Sequence, residues 1–176
     1  TVSGANESAA NPLVTALPMG GAIVTWTNNA IWPTTLQFSR CGLDSLPSLS
    51  KMLAPQSGLP KAWVSAVAES SGVVHSLWIE SGSAGSELHY QCRLASAGLA
   101  PQDTVLETSN SSLARARLMR DPAGGLHVVF ERSVGGVTQI RYRRRHPSLG
   151  WDANATDITA IADGAAVQPA VLASSP

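Results

Sequence analysis

The chain has 176 residues, 44% of them hydrophobic and only 14% charged, with a formal net charge of zero, 15 glycines and 11 prolines. That length suits one domain with a real core, and the neutral balance sets aside binding to nucleic acid or a membrane surface through bulk charge. No apolar run approaches the roughly 18 to 20 residues of a membrane helix, and abundant Gly and Pro with few charges point to short strands and tight turns.

Residues 1–11, beginning TVSGANESAAN, read as an N-terminal extension without an initiator Met or the charged-then-apolar layout of a signal peptide. The chain is therefore expected to be a mature product, a trimmed chain or a fragment. Strands are predicted at 13–17, 22–27 and 35–40, with a weaker one near 50–54. A second set follows at 62–68, 73–80, 87–93 and 104–108, and a third at 114–120, 126–132, 139–145 and 156–161. Val, Ile, Thr and aromatic residues fill these runs, and Gly, Pro, Ser and Asn bound them. No segment carries a 3.6-residue apolar stripe. The fold class is all-β.

The three sets repeat every 52 residues. Trp26, Trp78 and Phe130 close the second strands, and Phe38, Tyr90 and Tyr142 sit in the third. Leu36, Leu88 and Ile140 share the period, as do Gly20, Gly72 and Gly124. Four antiparallel strands in a unit of this length match a β-propeller blade. Stacked blades cover both faces of the second strand, which accounts for the mixed parity of Leu126, Val128, Val129 and Phe130. The expected organisation is blades at 12–60, 61–112 and 113–165, with residues 166–176 (core 168–174) as the first strand of a fourth. Closed propellers typically have four to eight blades, so the chain is expected to belong to a larger or oligomeric propeller, with another protein chain completing or packing on it.

The stretch GLHVVF, then QIRYRRR, the Gly150-Trp151 turn and the closing QPAVLASSP resemble the sialidase-like propeller repeats known as bacterial neuraminidase repeats. The resemblance spans about residues 12–176 and is strongest from Leu113 onward. It departs at the family's Asp-box, Ser-x-Asp-x-Gly-x-x-Trp, whose counterpart here is the shortened Ser148-Leu149-Gly150-Trp151. The enzymes so resembled use three arginines, a Tyr nucleophile assisted by a Glu, and an Asp acid. No Arg-Ile-Pro stretch is present, and Tyr90 and Tyr142 occupy the repeat position held by Phe38, so that constellation cannot be placed.

Other chemistry is weighed position by position. His75 and His127 share a slot held by Ile23 in the first copy, which favours packed core histidines over catalytic ones. His89 and His146 complete the set, and no spacing suggests a metal centre; no cofactor is expected. Cys41 and Cys92 are 51 residues apart in neighbouring third strands. A bridge is conceivable there, but the roughly 10 Å between packed sheets favours free thiols. Eight arginines crowd residues 113–146, either as an anion site or as a solvated face pairing with acids of a following blade; the outlying third strands favour the latter.

Ligand recognition is expected on the loops between second and third strands. That face would present Asn28, Asn29 and Trp32, then Glu80, then Glu131 and Arg132. Trp32 has no aromatic counterpart in the other copies and, beside two Asn, suits stacking on a sugar ring; packing onto its own blade is the bland alternative. Sequons stand at Asn6, Asn110 and Asn154. The expected function is a non-catalytic extracellular or cell-surface propeller that displays loops to a glycan or protein partner, without nucleic acid or membrane insertion. The alternative is a fragment of a sialidase-like glycoside hydrolase.

Overall fold

A computed structural model of the chain describes residues 8–18, 20–30, 35–42, 51–52, 58–94 and 103–172. These form three antiparallel sheets in chain order. The first holds β1 (Ala9–Ala16), β2 (Ala22–Asn28), β3 (Thr35–Cys41) and β4 (Lys51–Met52). The second holds β5 (Lys61–Ala68), β6 (Val73–Gly82), β7 (Gly85–Leu94) and β8 (Thr104–Ser109). The third holds β9 (Leu113–Arg120), β10 (Leu126–Val134) and β11 (Val137–His146). Its fourth position is divided between β12 (Gly150–Trp151) and β13 (Thr156–Asp157), both paired to β11. Among the described residues the one helical element is a 3-10 turn at Ile161–Asp163.

The sequence period is also a period of register. Leu13 faces Thr25, Ser65 faces Leu77 and Arg117 faces Val129, each pair 52 residues beyond the last. Between second and third strands, Trp26 faces Gln37, Trp78 faces His89 and Phe130 faces Arg141. A one-residue slip would turn every side chain to the other face, so this agreement means that the three units bury equivalent positions. Trp26, Trp78 and Phe130 are all buried.

The core lies between sheets. Leu17, Ile23, Leu36 and Phe38 of the first sheet pack with Val74 and Trp78 of the second. Leu77, Ile79, Leu88 and Tyr90, on the opposite face of the second, pack with Leu118, Leu126, Val128 and Phe130 of the third. The middle sheet's second strand, β6, thus buries both parities, Val74 and Trp78 toward the first sheet and Leu77 and Ile79 toward the third. Trp151 extends the second interface, its ring edge-on to Tyr90 with centroids 4.9 Å apart. The first strands run side by side: β1 contacts β5, and β5 contacts β9. Cross-links between sheets include Thr15 Oγ1 donating to the Ala66 carbonyl at 3.2 Å and Leu118 N donating to Ser65 Oγ at 3.0 Å.

Several sequence expectations need correction. The N-terminal extension is shorter than residues 1–11, because β1 begins at Ala9, where it pairs with Asn28 at the end of β2. The fourth strand of the third unit is only Thr156–Asp157 before the chain turns. Residues 168–172 are not a strand, since no second strand among the described residues pairs with them, and 173–174 lie outside those described. Cys41 and Cys92, by contrast, are free thiols as the sequence led one to expect. Most of the crowded arginines are already paired rather than awaiting acids of a following blade. Arg141 pairs with Glu107 and Asp157, Arg132 with Glu107, Arg120 with Glu69, and Arg144 with Asp121, all in their own or the preceding sheet.

Candidate binding groove along the first strands

Each first strand contains a bulge opposite its second strand, between Ala10 and Leu13, between Ala62 and Ser65, and at Ala114–Arg117. At each bulge one non-glycine residue takes a left-handed backbone: Asn11 (φ 52°), Trp63 (φ 55°) and Arg115 (φ 48°). Gln168 (φ 61°), 53 residues past Arg115, takes the same conformation and, like Asn11, is followed by proline. A left-handed residue with a Cβ costs roughly 1 to 2 kcal/mol, so the fold tolerates a strained backbone repeatedly at one position. Strain of this kind concentrates where a bulge must aim a side chain.

These residues border two adjoining hollows that share Trp63 and Arg117. A groove of about 470 Å³ is lined by Asn11, Leu13, Trp63, Ser65 and Arg117 among others. A smaller hollow of about 240 Å³ is lined by Trp63, Arg115, Arg117, Gln168 and Pro169. Trp63, 41% exposed, and Arg117 border both. Arg115 is held in place: its Nη1 donates to Glu131 Oε2 at 2.7 Å and Oε1 at 2.9 Å, and its guanidinium lies 5.7 Å from the Trp63 ring centroid. Buried Glu131 also accepts from the Gln168 backbone N–H at 2.6 Å, tying the segment after the third sheet to this row. Arg117 is exposed, donates only to the Ala116 carbonyl at 3.1 Å, and has no carboxylate partner among the described residues. The groove therefore offers an open aromatic face, an uncommitted cation and two amides, a set suited to a ring-bearing polar ligand.

The residues expected on the loop face are placed differently from one another. Asn28 is buried, and its Oδ1 accepts from Ser8 N at 3.3 Å and Ala30 N at 3.0 Å, capping the end of β2. Asn29 is exposed and its backbone N–H binds the Ser8 carbonyl at 2.9 Å. Trp32 lies outside the described residues. Glu80 is buried, paired with buried Lys61 at 2.9 Å and accepting from Trp78 Nε1 at 3.0 Å. Arg132 is half-buried, 3.5 Å from Glu107. Asn28, Glu80 and Arg132 occupy one repeat position, and Glu131, one residue earlier, points to the opposite face, into the groove row.

Two carboxylate–His–Tyr chains recur at the same period. His75 lies 2.7 Å from the Tyr90 hydroxyl through Nδ1 and 2.9 Å from Glu69 Oε1 through Nε2. His127 makes the same contacts with Tyr142 (2.7 Å) and Asp121 Oδ2 (2.9 Å). A carboxylate accepts only, so Nε2 carries the proton and the tyrosine hydroxyl donates to Nδ1. Burial pushes His75 below the usual histidine range, keeping it neutral. The His75 hydrogen bond lowers the pKa of Glu69, and the His127 bond lowers that of Asp121. Burial raises the hydroxyl pKa of Tyr90 and of Tyr142. In the first sheet the same three positions are the buried apolar residues Leu17, Ile23 and Phe38. A polar trio that an apolar trio replaces in the same fold is a packing device that ties turn, second strand and third strand together.

Among the described residues no group of three or more His, Cys, Asp or Glu is arranged to hold a metal ion. No protein-family model matches the chain, and no curated protein matches it significantly. The sequence does not point to Trp63, and it points to Arg117 only as one of the eight crowded arginines. The available signal was the spacing of 11, 63, 115 and 168, with Pro12 and Pro169 marking its two ends.

Proposed function

We propose that the three sheets are propeller blades similar to sialidase-like repeats, and that the chain serves as a non-catalytic extracellular or cell-surface binding and scaffold module. The groove along its first strands holds a glycan or protein partner. One observation carries this reading: the left-handed bulge repeats while its side chain changes from Asn11 to Trp63 to Arg115, and Gln168, outside any strand, repeats the backbone conformation. A position required only for folding is expected to keep one permissive residue, whereas here the backbone is constant and the chemistry is variable. Identical strand register and packing through both sheet faces support the propeller part of the reading. The docking of residues 166–168 onto Thr138 and Glu131 suits a segment that continues into a further blade or meets another chain.

The experiment is a glycan array and a pull-down with the wild-type chain and the variants Trp63→Ala and Arg117→Ala. Both substitutions are expected to remove binding while leaving the unfolding free energy within about 0.5 kcal/mol of wild type, as for exposed positions in general. Binding that survives both changes overturns the assignment of the groove.

A further inference from the structure

Arg93 projects from β7 toward the first sheet, its guanidinium 3.7 Å from the Phe38 ring centroid. It is 7% exposed, has no carboxylate partner among the described residues, and its Nη2 makes no hydrogen bond. Burial alone pushes its pKa down to about 10, without an opposing pull from any acid. A buried charge left uncompensated is among the most expensive arrangements in a protein interior.

The surroundings share this deficit. Gln91, two residues before Arg93 on the same face, has neither Oε1 nor Nε2 bonded. Ser76, directly across the strand pair from Gln91, has an unbonded Oγ. Thr25, across from Phe38 in the first sheet, has an unbonded Oγ1. Thr25, Ser76 and Gln91 are each 1% exposed. Native proteins leave few buried polar groups unpaired, and here several belong to neighbouring positions of one sheet interface. The repeat itself does not demand them: 52 residues on, Thr25 becomes Leu77 and Ser76 becomes Val128, both wholly buried. Gln91 becomes Arg143, which spends its donors on the carbonyls of Asp152 and Ala153.

We infer that the interface between the first and second sheets holds an internal site for a small monovalent anion of chloride or bromide size, bound by Arg93, Gln91, Ser76 and Thr25. Donors outnumber acceptors there: a guanidinium, an amide NH₂ and two hydroxyls against one amide oxygen and the hydroxyl lone pairs. A water molecule would satisfy hydrogen bonds and leave the charge unopposed, whereas an anion does both. The inference is independent of the groove and of the propeller reading.

The test compares thermal unfolding of the whole chain in sodium gluconate, chloride and bromide at equal ionic strength, for wild type and Arg93→Met. General salt effects act on both proteins, so the difference between them is the signal. A ligand bound only to the folded state raises the midpoint. Wild type is expected to gain about 2 to 4 °C in chloride or bromide relative to the variant, corresponding to ~1 kcal/mol in a domain of this size. Should Arg93→Met not fold, Gln91→Leu serves in its place. Crystals grown with bromide are expected to show an anomalous peak within hydrogen-bond reach of Arg93 Nη2. Equal salt responses in wild type and variant, or a bromide crystal with only water at Arg93, overturn the inference.

Discussion

Trp63 and Arg115, one repeat apart, share a left-handed backbone (φ 55° and 48°), and the Arg115 guanidinium lies 5.7 Å from the Trp63 ring centroid. The pairing is possible because β5 and β9 are neighbours and their bulges fall at the same height. Arg115 is already neutralised by Glu131, so it supports the ring rather than serving as the free charge of the groove; Arg117 is free for that.

Trp63→Gly removes the ring and relieves the left-handed strain together. Stability is expected to stay level or rise by up to about 1 kcal/mol, while partner binding is lost. Trp78→Ala, at the equivalent of the core aromatics, is expected to cost about 3 to 5 kcal/mol. Urea unfolding of the two variants decides it; a large loss in Trp63→Gly would show that this ring is packing and not display.

The Glu69–His75–Tyr90 chain is expected to behave as one unit. Tyr90→Phe leaves His75 Nδ1 buried without a donor and should cost about 1 to 3 kcal/mol. The triple change Glu69→Leu, His75→Ile, Tyr90→Phe copies Leu17, Ile23 and Phe38 and is expected to cost much less than its single changes added together. Additive losses in the mutant cycle would contradict the apolar equivalence of the two trios.

Stability is expected to fall as pH drops from about 6.5 through the ordinary carboxylate range and on below it. The folded-state pKa of His75 is lowered by burial, so the unfolded chain takes up the proton first as pH falls below the ordinary histidine value. Glu69 and Asp121 have folded pKa values lowered chiefly by their histidine hydrogen bonds. Their contribution is present above the ordinary carboxylate range and disappears as pH falls through the folded values. Urea midpoints measured across this window give the answer, and a flat profile would count against it.

Glu80 is expected to be a structural residue. Removing its charge in Glu80→Gln leaves Lys61 buried beside a neutral amide and should cost about 3 to 5 kcal/mol. Lys61→Met combined with Glu80→Leu is expected to recover most of that loss. A Glu80→Gln protein of wild-type stability that no longer binds its partner would return Glu80 to the list of ligand residues.

The sequence by itself determined the repeat and, through it, most of the fold. Strand period, turn glycines and the aromatic positions are local or periodic properties, and a 52-residue shift carries them intact from Trp26 to Trp78 to Phe130. The core placement of His75 was legible for the same reason, because Ile23 fills its slot in another copy. Only the tertiary structure decided which polar residues are consumed. Asn28, Glu80 and Arg132 look alike as loop-edge ligands, yet Asn28 caps a strand, Glu80 meets Lys61, and Arg132 reaches Glu107 from the preceding sheet. Whether a charge is spent or free depends on partners in other strands and other sheets, many of them distant in sequence. The left-handed backbone at Trp63 was hidden for a related reason: it follows from a bulge in strand pairing, and pairing is a relation between strands that neither strand carries alone.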